Sequence, residues 1–354
     1  MSTSSHRFDS AQGVPVIVEP HPAGLTENAI RPDDLMRESE RLHAEDLRWL
    51  LARQDEFVHV ACPACEKDVP APLWEKDGFE YVRCGACRTS YLNPRPRAQL
   101  LDEYYRMAEN YNFWEKQVFP VSEGPRRDQI AMPRVQRVVE LCRGRGMRGG
   151  LLIEVGAGYG TFCQEAARTG QFSRVIAIEP TPSMAQACRN RGLEVLEQPI
   201  EHVSLEQELA DVIVSFEVIE HLFSPRDFLL SCARLLKPGG VMALTCPNVD
   251  GFDVVTLGAV SQVVDPEHLN YFHPTSLSLL YQRCGFEVVQ LSTPGRLDAE
   301  IVRKRTLAGL YDLSAQPFLE QVLLRDWERV GAAFQAFLAD NSLSSHMWIA
   351  GRKR

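Results

Sequence analysis

Four cysteines, Cys62, Cys65, Cys84 and Cys87, stand in two Cys-x-x-Cys pairs, "CPAC" and "CGAC", with eighteen residues between the pairs. Thiolates grouped this way match a tetrahedral metal site in which each pair closes one knuckle. Four sulfur ligands favour zinc and leave no open position for a substrate, so the site reads as structural. Two further clusters carry histidine. "FEVIEHL" (216–222) holds Glu217, Glu220 and His221, and "EHLNYFH" (267–273) holds His268, Asn270, Tyr271 and His273. Histidine beside carboxylates suits proton transfer near neutral pH. The same groups can hold Mg²⁺ or Mn²⁺. Helix capping and a solvated loop are the plain alternatives.

A third stretch, "LLIEVGAGYGTF" (151–162), places Gly156, Gly158 and Gly160 directly after an apolar run. Glycines there allow a tight turn and bring backbone N–H groups close to a ligand. The dinucleotide fingerprint would want glycine at 161, where this chain has Thr161. Glu154, inside the run, could accept from a cationic amine. Glu179, twenty-five residues on, ends the next apolar run, where a carboxylate can bind two ribose hydroxyls. The pattern favours a nucleoside-bearing ligand without a pyrophosphate.

These residues need elements to hold them. After Gly150 strands and helices alternate. "LLIEV", "RVIAIEP", "LEVLE", "DVIVSF" and "VMALTCP" read as five strands, separated by helical stretches such as "TFCQEAART" and "PSMAQACRNRG". In "PRDFLLSCARLLKPGG" the helix is expected to run to Pro238 and the double glycine. Runs that are apolar throughout fit a mostly parallel sheet covered on both faces. Asp265–His273 reads as a loop feeding a helix that Pro274 opens and Gly285 closes. If a helix follows the fourth strand, Glu217 and His221 share one of its faces.

Upstream, residues 1–30 read as an extended lead-in, and Leu35, Leu42, Leu47, Leu50 and Leu51 mark an amphipathic helix. The expected divisions are a lead-in and helix (1–57), a zinc-ribbon module (58–97), a helical linker or substrate-side region (98–149), and an α/β domain (150–354) with a helical insertion near 303–340. That insertion offers a lid, a surface for a homo-oligomer or extra packing.

With 354 residues, 45% hydrophobic and 24% charged, the chain is expected to be globular. A net charge of -9 argues against a mainly electrostatic grip on nucleic acid. No run approaches the ~20 apolar residues of a membrane span. The start, "MSTSSHRFDSAQGVPV", lacks a basic-then-apolar signal segment, so a cytoplasmic location is expected.

Taken together, "EVGAGYG", Glu179, "DVIVSFEVIEHL" and "LLKPGG" resemble the motifs of the class I S-adenosylmethionine-dependent methyltransferases. The resemblance covers about 150–291 and continues to a closing strand in "SSHMWIAGRKR". It implies a Rossmann-like seven-stranded sheet covered by helices. It also implies that Glu154, Gly156, Ala157, Gly158 and Gly160 hold the methionine moiety and Glu179, with Pro180 beside it, the ribose. Gln198 and Ile200 would lie near the adenine, and Phe216 beside the cofactor. Catalysis would fall to His268, or to His221 with Glu217 and Glu220. Methyltransferases acting on quinone-precursor phenols carry a similar "E-x-x-E-H" segment, which keeps Mg²⁺ in view. The paired cysteines with "YLNPRP" and "TPGRLDAEIV" resemble a bacterial zinc-binding type that methylates nucleotide-linked sugars or specialised metabolites at oxygen or carbon. Two rivals stand beside this reading. A zinc-ribbon RNA methyltransferase would want a basic stripe from Arg83, Arg88, Arg95 and Arg97. A non-catalytic S-adenosylmethionine-binding protein would bind without transfer.

Overall fold

A computed structural model describes residues 25–147 and 149–354, together with two short strands ahead of them, His6–Phe8 and Pro15–Ile17. The expected lead-in therefore lies mostly outside the described residues. The first long helix is α1 (Asp33–Leu51), which buries Leu47 and Leu50. Three antiparallel strands follow, β1 (Pro70–Lys76), β2 (Phe79–Cys84) and β3 (Ser90–Leu92), and then α2 (Ala98–Met107). Irregular helical turns lead on to α3 (Met132–Gly144).

The α/β part then runs β4 (Leu151–Val155), α4 (Thr161–Arg168), β5 (Arg174–Ile178), α5 (Pro182–Asn190), β6 (Glu194–Leu196) and β7 (Ala210–Phe216). It continues with α6 (Pro225–Leu235), β8 (Leu236–Pro247), β9 (Asn270–Tyr271), α7 (Pro274–Arg283) and β10 (Phe286–Ser292). Last come α8 (Asp298–Leu307), α9 (Trp327–Asp340) and β11 (His346–Lys353). Helix α6 ends three residues before Pro238, because Leu236 already pairs with Ala210 of β7. Among the described residues no helix is long and apolar enough to cross a membrane.

Seven strands form one sheet in the order β6-β5-β4-β7-β8-β11-β10, with β11 antiparallel to both its neighbours and the others of the inner set parallel. Alternation explains why the runs are apolar throughout. Leu151, Ile153 and Val155 face a core shared with Phe228, Leu229 and Cys232 of α6 and Leu277 and Leu280 of α7. Leu152, Val212 and Val214 face the opposite core, with Val135, Val138 and Val139 of α3. Both faces are covered, as a parallel sheet requires. Truncating Ile213, which is fully buried, to alanine would cost about 2–5 kcal/mol.

Strand order reverses between β4 and β7, which opens a crevice at their carboxyl ends. A second sheet, β9-β3-β2-β1, stands against this edge. Its outer strand β9 comes from the "EHLNYFH" stretch, and Asn270 and Tyr271 pair with Tyr91 and Ser90 of β3. The cysteine module is thus stitched to the α/β domain by main-chain hydrogen bonds.

Candidate active site and cysteine centre

Two knuckles of the same design hold the four cysteines. Cys62 donates its amide to Lys67 O and accepts from Glu66 N; Cys84 donates to Thr89 O and accepts from Arg88 N. The fifth residue of each knuckle, Glu66 and Arg88, takes positive φ to close the turn. The sulfurs lie in close pairs, Cys62–Cys87 at 3.4 Å and Cys65–Cys84 at 3.6 Å. All four are within 4.8 Å of one another. This is a closed sulfur cage that could hold a metal ion, with no position left for a substrate.

The loop after β4 is shaped by its glycines. Gly156 has φ +76°, and a Cβ there would sit 2.5 Å from Val218 Cγ2. Gly160 has φ +73°, and its Cβ would lie 2.5 Å from Leu193. A side chain at either place would strain the turn and collide with it. Glu179 at the end of β5 accepts from Gly158 N at 2.8 Å and Thr181 N at 2.9 Å, tying its carboxylate to the loop. Glu154 is buried, one of its oxygens has no hydrogen-bond partner, and burial pushes its carboxyl up to about 8. An unsatisfied buried carboxylate oxygen is costly. A cationic amine arriving beside it would remove that cost, so the residues fit the ammonium end of S-adenosylmethionine.

Other expected cofactor residues are placed as follows. Ala157 is buried against Cys163 and Cys188, Pro180 is exposed and Gln198 is half-buried. Ile200 is buried in the core beneath the sheet, so any ligand contact there falls to its backbone. Phe216 is packed edge-on to Phe162 and stacked on Trp348. Helical turns from 109 to 126 roof the loop: Tyr159 donates to Glu115 O at 3.0 Å, and Phe119 lies 4.9 Å from the Tyr159 ring.

The segment after β7 does not continue as the helix that would have put Glu217 and His221 on one face. Glu217 takes φ +55°, and only a single turn, Ile219–His221, follows. Glu217 and His221 therefore do not share a helix face. Glu217 accepts from Thr245 Oγ1 and from Arg134, each at 2.6 Å, and His346 lies 3.6 Å away. Its side chain is exposed on one side, and the neighbouring His346 and Arg134 with the Thr245 hydrogen bond hold its carboxyl below the usual carboxylate range.

Glu220 and His221 turn instead toward His268. Donor atoms of these three lie within 4.8 Å of one another, and the imidazole rings meet edge to face at 4.7 Å. His221 Nδ1 lies 3.0 Å from Glu267 O, and His268 Nδ1 lies 2.8 Å from Val263 O. A carbonyl oxygen can only accept, so both Nδ1 atoms carry the proton and both Nε2 atoms keep a lone pair. Burial pushes His221 down to about 3. Glu220 is buried with one oxygen unpartnered, and burial raises its carboxyl well above the usual range. The Mg²⁺ expectation through Glu217, Glu220 and His221 loses Glu217 in this arrangement. Two imidazoles and one carboxylate also suit transition metals better than Mg²⁺.

Behind the histidines stands a wall that the sequence did not single out. Tyr104 donates to Glu267 Oε1 at 2.6 Å, and Tyr111 to Oε2 at 3.3 Å. The Tyr105 hydroxyl lies 3.4 Å from His221 Nδ1. His43 reaches in from α1, with Nε2 2.9 Å from Asp265. Burial disfavours its charge, yet Asp265 and the nearby Glu267 carboxylate hold the imidazolium at about 10. Only the aromatic run "EYY" ahead of the domain hinted at this wall; nothing near His43 did. His273 has another job: its Nε2 donates to Cys87 O at 2.9 Å, and its side chain caps α7. Of the four arginines expected to make a basic stripe, Arg95 is buried, Arg88 pairs with Asp250 and Arg97 with Glu56.

A family profile described as "Methyltransferase domain" matches residues 126–291. The ubiquinone biosynthesis O-methyltransferase of Xanthomonas oryzae pv. oryzae is 29% identical over 155 residues, 42% of this chain and 60% of the relative. That of Caulobacter vibrioides is 36% identical over 189 residues, 50% of this chain and 66% of the relative. The chain thus spans about 60% of the length of the first curated relatives it matches. Among solved structures, an Archaeoglobus fulgidus S-adenosylmethionine-dependent methyltransferase aligns with TM-score 0.45 and 18% identity, over 64% of this chain and 94% of that one. The Burkholderia thailandensis 1,6-didemethyltoxoflavin N1-methyltransferase aligns with TM-score 0.44 and 12% identity, over 81% and 99%. The sheet order and the glycine loop give this chain a class I S-adenosylmethionine-dependent methyltransferase fold, and residues 126–291 match the methyltransferase domain profile.

Proposed function

We propose that the protein transfers the methyl group of S-adenosylmethionine to oxygen or carbon of a small polar acceptor, of the sugar, nucleotide-linked sugar or specialised-metabolite class. The observation that carries this reading is the pair of imidazoles at the carboxyl edge of the sheet, each with Nδ1 fixed and Nε2 free. S-adenosylmethionine supplies a methyl group on a sulfonium sulfur; Glu154, the Gly156–Gly160 loop and Glu179 are the residues that would hold it. His268 Nε2 takes the proton that the acceptor hydroxyl, or the carbon beside its carbonyl, gives up. His221 is too weakly basic for that task when held near 3, and it orients the acceptor instead. The wall of Tyr104, Tyr105, Tyr111 and Glu267 suits an acceptor rich in hydroxyl groups. The cysteine centre takes one zinc ion in a ribbon and has a structural role.

The experiment pairs calorimetry with a turnover assay on a panel of nucleotide-linked keto and hydroxy sugars and phenols, following S-adenosylhomocysteine. Glu179→Ala is expected to weaken cofactor binding at least tenfold, about 1.4 kcal/mol. His268→Gln is expected to leave binding intact and lower turnover about 100-fold or more. Unchanged affinity in the first variant would sink the ribose assignment, and unchanged turnover in the second would remove His268 as the base. Turnover on phenols alone would reject the sugar class.

A further inference from the structure

We propose that Arg95 and Asn270 are positioning residues, which hold the loops bearing His221 and His268 in register and tie that register to the cysteine module. Arg95 is 1% exposed, and no carboxylate pairs with it among the described residues. Burial lowers its pKa to about 10, which leaves it charged at neutral pH. A buried guanidinium without a counter-ion is expensive unless its donors are used. Here four of its five N–H donors are spent on carbonyl oxygens. Nε donates to Leu92 O at 3.1 Å, Nη1 to Phe223 O at 3.3 Å and Asn270 Oδ1 at 3.1 Å, and Nη2 to Leu269 O at 3.1 Å.

Asn270 carries the chain of bonds onward. Its Nδ2 donates to Ile219 O at 3.2 Å, Glu220 O at 3.3 Å and Leu222 O at 2.7 Å, on both sides of His221. Leu269 N donates to Glu220 O at 2.7 Å, and Leu92 N to Leu269 O at 3.0 Å. Three segments therefore meet at one guanidinium: the exit of β3 from the cysteine module, the loop after β7, and the loop entering β9. Neither loop has regular structure to satisfy these carbonyls, and buried carbonyls require partners. Lysine offers no planar fork and could satisfy only part of the set. Asn270 must both accept from Arg95 and donate to the β7 loop, which a carboxylate could not do. The groups around His221 are His268, Tyr105, Glu220, the main-chain carbonyl of Glu267 and the carboxylates of Glu217 and Asp265. A small shift of either loop would change all of these contacts together.

The catalytic consequence rests on the proposed function; the structural claim does not. The test is therefore ring ¹⁵N NMR of the histidines at pH 8 in full-length wild type, Arg95→Lys and Asn270→Leu, with metal content and S-adenosylmethionine affinity measured on each. Wild type is expected to show His221 and His268 as single Nδ1–H tautomers. Both variants are expected to keep the metal and the cofactor affinity within about twofold, to show mixed tautomers, and to lose about 100-fold in turnover. Stripping the metal from wild type with a chelator is expected to produce the same tautomer mixing. Unaltered imidazole spectra in both variants would overturn the proposal. So would loss of metal and cofactor binding together, since the two side chains would then only support the fold. An unaltered spectrum after stripping would sever the tie to the cysteine module. If wild type methylates no acceptor, the proposed function fails, while the NMR outcome still decides the clamp.

Discussion

At the scale of single residues, Glu154 is a buried carboxyl with an unmet hydrogen-bonding demand. Its carboxyl is buried, lacks a partner on one oxygen, and sits at about 8 instead of its ordinary 4.5. A folded-state pKa raised in this way means the native chain holds a proton that the unfolded chain releases between pH ~4.5 and ~8. The stability it contributes is complete below ~4.5 and is lost as pH rises through 8. Glutamine imitates the protonated form. Glu154→Gln is therefore expected to raise the melting temperature of the ligand-free protein at pH 8.5 and to change it little at pH 5. The same variant should weaken S-adenosylmethionine binding at least tenfold, because the amide cannot balance an ammonium group (about 1.4 kcal/mol). Melting curves at the two pH values with calorimetry at pH 8 check both halves. A variant that destabilises at pH 8.5, or binds as wild type does, would show that the orphan oxygen is not an amine site.

At the scale of elements, the cysteine module and the "EHLNYFH" stretch act as one piece. Pairing of β9 with β3, and the His273–Cys87 hydrogen bond at 2.9 Å, connect residues almost two hundred positions apart. One zinc ion per chain is expected by elemental analysis, and none after Cys65→Ser with Cys84→Ser. In that double variant hydrogen exchange should quicken from 60 to 92 and, through β9, at 269–273, while β4 and β7 stay protected. Protection unchanged at 269–273 would separate the two elements. The sequence revealed much of the larger design, because its signals were local. Apolar runs placed the strands from Leu151 to Pro247, and Cys-x-x-Cys pairs placed the cage. It revealed less of the site, for a physical reason. His43 reaches Asp265, Arg95 reaches Phe223, and Tyr104 reaches Glu267 across long sequence gaps, and no periodicity records such contacts. The helix considered after β7 does not form, because Glu217 turns into positive φ to meet Arg134 and Thr245, a tertiary demand that overrides local helix preference.

At the scale of the whole molecule, the cofactor loop is enclosed by a segment that precedes the α/β sheet in the chain. Tyr159 donates to Glu115 O, Ser183 donates to the Glu115 carboxylate at 2.9 Å, and Arg191 pairs with Glu123. Phe119 and Trp114 add an aromatic contact over the same turn. A ligand held at Glu154 and Glu179 is expected to enter and leave as the 109–126 turns lift. The contacts over the loop are partly exposed, whereas Asp46 accepts from Glu109 N and Asn110 N and Ser39 accepts from Trp114 Nε1, so the segment stays anchored on α1 and the expected opening is local to the loop side. Tyr159→Phe removes one hydrogen bond worth about 0.5–1.5 kcal/mol while keeping the ring against Phe119. It is expected to speed hydrogen exchange at 109–126 by about threefold to tenfold and to raise the dissociation rate of S-adenosylhomocysteine by a similar factor. The association rate should change less, since the variant weakens the closed state and leaves the loop itself intact. Bound S-adenosylhomocysteine should slow exchange in that segment in wild type. Exchange at 109–126 that ignores both the ligand and Tyr159→Phe would mean that the cofactor enters by another route, and that these turns are fixed wall and not a cover.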